Sequence, residues 1–150
     1  MAQQTKVRST TTVVWADAVN NNATWNTNWQ ITEYAKFAVS DLGLANSKGG
    51  IGLKIEEILF FGTGTTPALA NRDDIQILIA TDSGFNDVVC IELGIQSDAK
   101  YDTTKCIAGF SPGHEIYLQD GNTTELYCTV KCGTGAALTA TSARLTVSQL

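Results

Sequence analysis

Ile51-Gly-Leu-Lys-Ile-Glu-Glu-Ile-Leu-Phe-Phe61 begins a succession of short apolar segments that continues to Cys132 and is cut by Gly, Pro, Asp and Asn. The segments are rich in β-branched residues, and Ile75-Gln-Ile-Leu-Ile79 has the alternation of a strand. No helix-length apolar pattern interrupts the stretch. The sequence therefore predicts an all-β fold, a single antiparallel β-sandwich of jelly-roll or Greek-key type with seven or eight strands.

One segment before this stretch, Trp29 to Leu42, fits two structures. Helical spacing fits its apolar residues, with Thr27 to Gln30 as a capping box and Gly43 as a stop. Strand spacing instead places Trp29 and Phe37 on one face. We favour the strand, because a helix would put both rings on its polar side.

The last predicted hairpin joins Glu115–Gln119 to Thr123–Cys132 around Asp120-Gly121. A two-residue turn would place Ile116 opposite Glu125. An odd-length loop closing on Gly121 keeps the apolar residues of both arms on one face. These residues are Ile116, Leu118, Leu126, Cys128 and Val130.

The chain has 150 residues, which is close to the usual length of one domain. Residues 1–9 are polar and aperiodic and predict a flexible N-terminal arm, followed by one sandwich domain over 10–150. The first residues contain no apolar signal core, and no stretch has the length of a membrane span. We therefore expect synthesis in the cytoplasm and no membrane partner.

Charged residues make up only 17% of the chain, against about 25% in an average domain. The chain instead has twenty Thr, nine Asn and 13 Gly, so the predicted surface is largely neutral. Covering such a surface with a partner costs less desolvation free energy than covering a charged one. The net charge of −5 and the scattered basic residues argue against nucleic-acid binding.

One motif resembles that of an enzyme. Asp82-Ser-Gly84 follows an apolar strand, as the catalytic loop of a retropepsin-like aspartic protease does, and two such loops would share a proton. Thr81 before the Asp and Phe85 after the Gly depart from that family's pattern. A hairpin turn is the competing interpretation, and it is the one we favour.

The remaining reactive side chains predict no catalytic, cofactor or metal site. Cys128 and Cys132 lie on one face of a strand, roughly 13 Å apart, which is too far for one zinc ion. All four cysteines are expected to be reduced and packed, since no export signal is present. His114 follows Ser-Pro-Gly113 at the entry to a strand and is interpreted as a turn residue.

Taken together, the polar arm, the Thr/Asn/Gly-rich strands, the few charges and the missing enzyme motif resemble small tailed-phage virion proteins, specifically jelly-roll capsid decoration (cement) proteins. The resemblance implies a non-enzymatic homo-oligomer, commonly a trimer, that clamps the major capsid protein of a virion shell. The candidate contact residues are Lys6, Val7 and Arg8 in the arm and Trp25 and Trp29 in the Asn-rich stretch 17–28 and just after it.

Two alternatives remain open at this point. Trp25 and Trp29 could be exposed stacking rings of a carbohydrate-binding sandwich. Asp82 could serve the retropepsin-like protease.

Overall fold

A computed structural model describes residues 10–14, 23–38, 51–65, 75–96, 106–118, 125–133 and 137–150. In this part of the chain there are eleven strands and no helix, and all strand pairs are antiparallel. Sheet A contains β1 (Thr10–Val14), β2 (Ala23–Trp25), β4 (Ile51–Thr65), β7 (Ile95–Gln96), β8 (Cys106–Phe110), β9 (His114–Leu118) and β11 (Ala137–Gln149). Sheet B contains β3 (Ala35–Ala38), β5 (Gln76–Ala80), β6 (Val88–Leu93) and β10 (Glu125–Lys131).

The strand pairs are nested along the sequence: early strands pair with late ones, and the innermost pair joins two consecutive strands. β2 pairs with β11, β3 with β10, β4 with β8 and β9, and β5 with β6. Sheet A has the order β1-β11-β4-β8-β7 and sheet B the order β3-β10-β5-β6. Nested pairs divided between two sheets in this way form a jelly roll, so the predicted fold class is confirmed.

The described residues form more strands than the predicted seven or eight, because some strands of the jelly roll are divided into two shorter ones. Both β1 and β2 pair with β11, and both β8 and β9 pair with β4. Pro112 and Gly113, whose φ is +59°, lie between β8 and β9. Proline has no N–H for the ladder, and a left-handed glycine bends the chain, so the strand is interrupted there.

The core lies between the two sheets and is centred on aromatic side chains. Trp25, Phe60 and Phe110 are fully buried, and the Phe60 ring contacts Trp25 and Phe110 edge to face, with centroid separations of 5.0 and 6.1 Å. The predicted alternation is confirmed for Ile75, Ile77 and Ile79, which are buried, and Ala143, Leu145 and Val147 of β11 also point into the core. The five apolar residues assigned to one face of the last hairpin are buried as well.

The predicted hairpin itself is wrong. β9 pairs with β4 in sheet A, whereas β10 pairs with β3 and β5 in sheet B. Each strand has an inward apolar face, but the two faces belong to opposite sheets and meet across the core. Alternation in a sequence predicts which side chains point inward, and it leaves the hydrogen-bonding partner open.

The segment 29–42 is a strand only in part. Ala35–Ala38 forms β3 with Ala35 and Phe37 buried, as the strand interpretation predicts, while residues 29–34 are irregular and Ile31 is 49% exposed. Residues 39–42 and the predicted arm, residues 1–9, lie outside the described residues.

Candidate functional site

The structure places one of the predicted contact residues in the core. Trp25 has no exposed surface, and its indole Nε1–H donates a hydrogen bond of 2.7 Å to the Glu33 carbonyl oxygen. The expectation that Trp25 is a surface ring is therefore wrong. It belongs to β2, a short strand within the Asn-rich stretch, and there it pairs with Leu138.

Of the other predicted contact residues, the structure describes only Trp29. Trp29 is half-buried in the irregular segment after β2. Lys6, Val7 and Arg8 lie outside the described residues, so their role stays a prediction.

Asp82 has the geometry of a turn residue. One carboxylate oxygen accepts hydrogen bonds from the backbone N–H and side-chain amide of Asn86 at 3.1 and 3.2 Å, and the other accepts one from the Asp87 N–H at 2.8 Å. The pKa of Asp82 is below its usual value, chiefly because the backbone N–H groups of Asp87 and Asn86 donate hydrogen bonds to the carboxylate. The carboxylate thus organises the β5–β6 connection, and the turn interpretation is confirmed.

Three of the four cysteines are buried and free. Cys90, Cys128 and Cys132 form no disulfide in the structure, and their burial confirms the expectation of packed thiols for these three. Burial raises the pKa of Cys90 to about 11 and that of Cys132 to about 12, and it raises the pKa of Cys128 further. Thiolates are the reactive form of cysteine, so these side chains act as core residues.

Sheet B has one covered part and one open part on its outer face. Thr129 of β10 is fully buried there, and its hydroxyl lies 2.9 Å from the Gln30 carbonyl oxygen and 3.0 Å from that of Glu33. The irregular segment 26–34 therefore lies over β10. Across the sheet, Thr129 pairs with Leu78 of β5, and Leu78 pairs with Ile91 of β6. The exposed fraction of these three side chains increases from β10 to β6.

The edge strand β6 presents the apolar surface that stands out in the described structure. Ile91 is 59% exposed, Leu93 64% and Val88 39%, and these make up three of the five exposed large hydrophobic residues. β6 pairs only with β5 among the described strands. We call Val88, Ile91 and Leu93, together with the free side of the β6 backbone, the β6 edge.

The β6 edge has few of the features that protect sheet edges. Natural edge strands are blunted by lysine, proline, bulges, inward-pointing charged residues or short length. β6 has six residues with neither lysine nor proline, and its one charged residue, Glu92, lies on the same face as the buried Cys90. A bulge at Val89 is its single irregularity.

Sequence reasoning missed this surface. Val88-Val-Cys-Ile-Glu-Leu93 is almost wholly apolar, which is the pattern of a buried strand. The only available signal is Glu92 between two apolar residues, and it does not show which neighbours stay exposed.

Among the described residues, no cluster of His, Cys, Asp and Glu could hold a metal ion, and no helix is long and apolar enough to cross a membrane.

Comparison with known proteins gives only remote structural similarity. No protein-family model matches the chain, and no curated protein matches it in sequence. The chain is similar to the Drosophila NLP core, described for pentamer formation and histone binding, with 10% identity, 96% of this chain and 98% of that chain covered, and a TM-score of 0.32. It is also similar to the SPBc2 prophage-derived protein YomS, with 11% identity, coverage of 99% and 100%, and a TM-score of 0.31. At these values neither similarity carries an argument about function.

Proposed function

We propose that this chain is a non-enzymatic structural protein of a virion, a capsid decoration (cement) protein that binds a shell of major capsid protein as a homo-oligomer. It is made in the host cytoplasm and ends in the particle. The observation that carries the proposal is the β6 edge, where exposed apolar side chains coincide with a strand backbone that pairs with a described strand on one side only.

An exposed apolar sheet edge promotes aggregation of a monomer, whereas in a subunit of an assembly it can form the contact with a neighbour. Unpaired backbone groups at a sheet edge pair readily with another chain, and contiguous apolar patches mark interaction sites. The core of this protein is complete without that strand's outer face, because Trp25, Phe60 and Phe110 are fully packed. The outward apolar residues are therefore available for an intermolecular contact.

The rest of the surface supports the same role. Few charges must be desolvated when a neutral Thr- and Asn-rich surface is covered. An oligomer that touches a lattice through each subunit gains roughly 10²–10⁴ in avidity without new kinds of contact. Weak individual contacts are then sufficient for stable decoration.

The carbohydrate-binding alternative loses one of its two rings, because Trp25 is buried under β-sheet and donates its indole N–H to the backbone. The protease alternative requires a carboxylate aimed at a substrate, whereas both Asp82 oxygens accept hydrogen bonds from the turn.

The test is to produce a tagged chain in cells that yield tailed-phage particles and to purify those particles on a density gradient. We expect a fixed number of copies per particle by quantitative mass spectrometry, and extra density on the outer shell by cryo-electron microscopy. Particles that carry no copies, or copies only in their interior, would contradict the proposal.

A matched variant lacking residues 1–9 tests the arm. β1 begins at Thr10, so this deletion keeps every described strand. We expect an unchanged circular dichroism spectrum and a clear loss of bound copies. Unchanged occupancy would remove Lys6, Val7 and Arg8 from the contact.

A further inference from the structure

We propose that the β6 edge is self-complementary: two copies pair their β6 strands antiparallel about a two-fold axis at Ile91, joining two four-stranded sheets B into one continuous sheet. This inference rests on the proposed function and names the contact by which the homo-oligomer forms. The occupant of the β6 edge is thus a second copy of this chain.

The backbone of β6 is oriented for such a pair. Gly94 N–H donates to the Ile75 carbonyl oxygen, one step beyond the Gln76–Leu93 pair of the β5–β6 register. Hydrogen-bonded positions alternate along an antiparallel ladder, so Glu92 and Cys90 direct their backbone groups toward β5. The N–H and C=O groups of Ile91 and Leu93 point to the free side.

The charge of Glu92 selects the register. An axis at Glu92 would place two carboxylates directly opposite each other, and like charges in that position are destabilising. An axis at Cys90 would place the bulged Val89 next to the axis, opposite Ile91, whereas an axis at Ile91 keeps the bulge two positions away from it. With the axis at Ile91, Glu92 lies opposite the neutral Cys90 thiol of the second copy.

The same register matches the apolar side chains. Ile91 lies opposite Ile91 of the second copy in a hydrogen-bonded pair, and each Leu93 reaches the bulged Val88–Val89 segment of the other. The half-buried Leu78, next to Ile91 in sheet B, extends this apolar strip on both sides of the axis. A symmetric contact of this kind is isologous and closes as a dimer. It differs from the trimer that the resemblance implies, which requires a heterologous interface.

Cysteine cross-linking tests the axis directly. Directly opposed residues in a hydrogen-bonded pair have Cα atoms about 5.5 Å apart, within the range that a disulfide spans. Ile91→Cys should therefore form a covalent dimer under mild oxidation. Leu93→Cys is the matched control, because in this register the two Leu93 residues are four positions apart. We expect roughly ten-fold more covalent dimer from Ile91→Cys than from Leu93→Cys or the unmodified chain.

Sedimentation equilibrium supplies a second measurement that needs no cross-link. Ile91→Lys should abolish concentration-dependent dimerisation, while Ile31→Lys, the same change at an exposed isoleucine outside the strands, should leave it intact. A chain that is monomeric at every concentration, a trimer, or preferential cross-linking through Leu93→Cys would overturn the inference.

These outcomes are separable from the proposed function. If Ile91→Lys is monomeric and still decorates particles, the two-fold contact stands as a solution property and the shell contact lies elsewhere. If the unmodified chain dimerises through Ile91 and binds no particle, the decoration role fails and the two-fold contact is supported. A wild-type chain that decorates particles but gives no Ile91→Cys dimer refutes only the two-fold contact.

Discussion

Trp25→Phe should destabilise the protein by about 3 kcal/mol, because it removes part of a fully buried ring and one hydrogen bond. Phenylalanine lacks about three of the buried ring atoms, which at roughly 0.8 kcal/mol per methylene-sized group amounts to about 2 kcal/mol. The lost indole N–H bond to Glu33 adds about 1 kcal/mol. The Glu33 carbonyl oxygen then shares the single Thr129 hydroxyl proton, at 3.0 Å, with the Gln30 carbonyl oxygen at 2.9 Å.

Equilibrium urea unfolding followed by far-UV circular dichroism at 25 °C measures this change. Trp29→Phe is the matched control, and because that ring is half-buried we expect it to cost less than about 1 kcal/mol. A cost for Trp25→Phe below about 0.5 kcal/mol, or equal to that of Trp29→Phe, would refute the placement of Trp25 in the core and restore it as a surface ring.

Two further predictions concern the turn and the thiols. Asp82→Asn should lower the melting temperature at pH 7. The difference in melting temperature between the variant and the unmodified chain should disappear as the pH falls below the ordinary Asp pKa of about 3.9. The lowered pKa of Asp82 in the folded state stabilises the protein only while the carboxylate is charged. A difference in melting temperature that does not depend on pH would contradict this. Cys90, Cys128 and Cys132 should resist an aromatic disulfide reagent at pH 8 and react once guanidinium unfolds the chain, as followed by peptide mapping; rapid labelling of the folded protein would show that these thiols are accessible.

The sequence predicts side-chain faces better than it predicts partners. Ile116 and Leu126 both point inward as their alternation indicates, yet they belong to different sheets. A strand's period of two depends on its own residues, whereas pairing depends on which neighbours the whole roll brings alongside. In a nested topology, consecutive strands often cross between the layers, so a short connection such as the one near Asp120 does not imply a hairpin.

The structure differs from the sequence-based expectation in opposite directions at Trp25 and at β6. Trp25 lies in a polar, Asn-rich setting that favours a loop, but three residues suffice for a strand when Leu138 lies opposite and Phe60 fills the space behind the ring. β6 has the composition of a buried strand, but its position at the end of sheet B leaves one face and one edge open. In both cases burial is set by long-range contacts that local composition does not contain.

The exposed apolar residues of β6 are also the reason why we propose a function in assembly. The inward side of β6 is satisfied by Cys90 and the partly buried Val89, so folding alone does not require Ile91 or Leu93 to be apolar. Polar residues at those two positions would keep the same strand and protect its edge. Apolar residues there add nothing to the core, and they become useful only when another strand covers them.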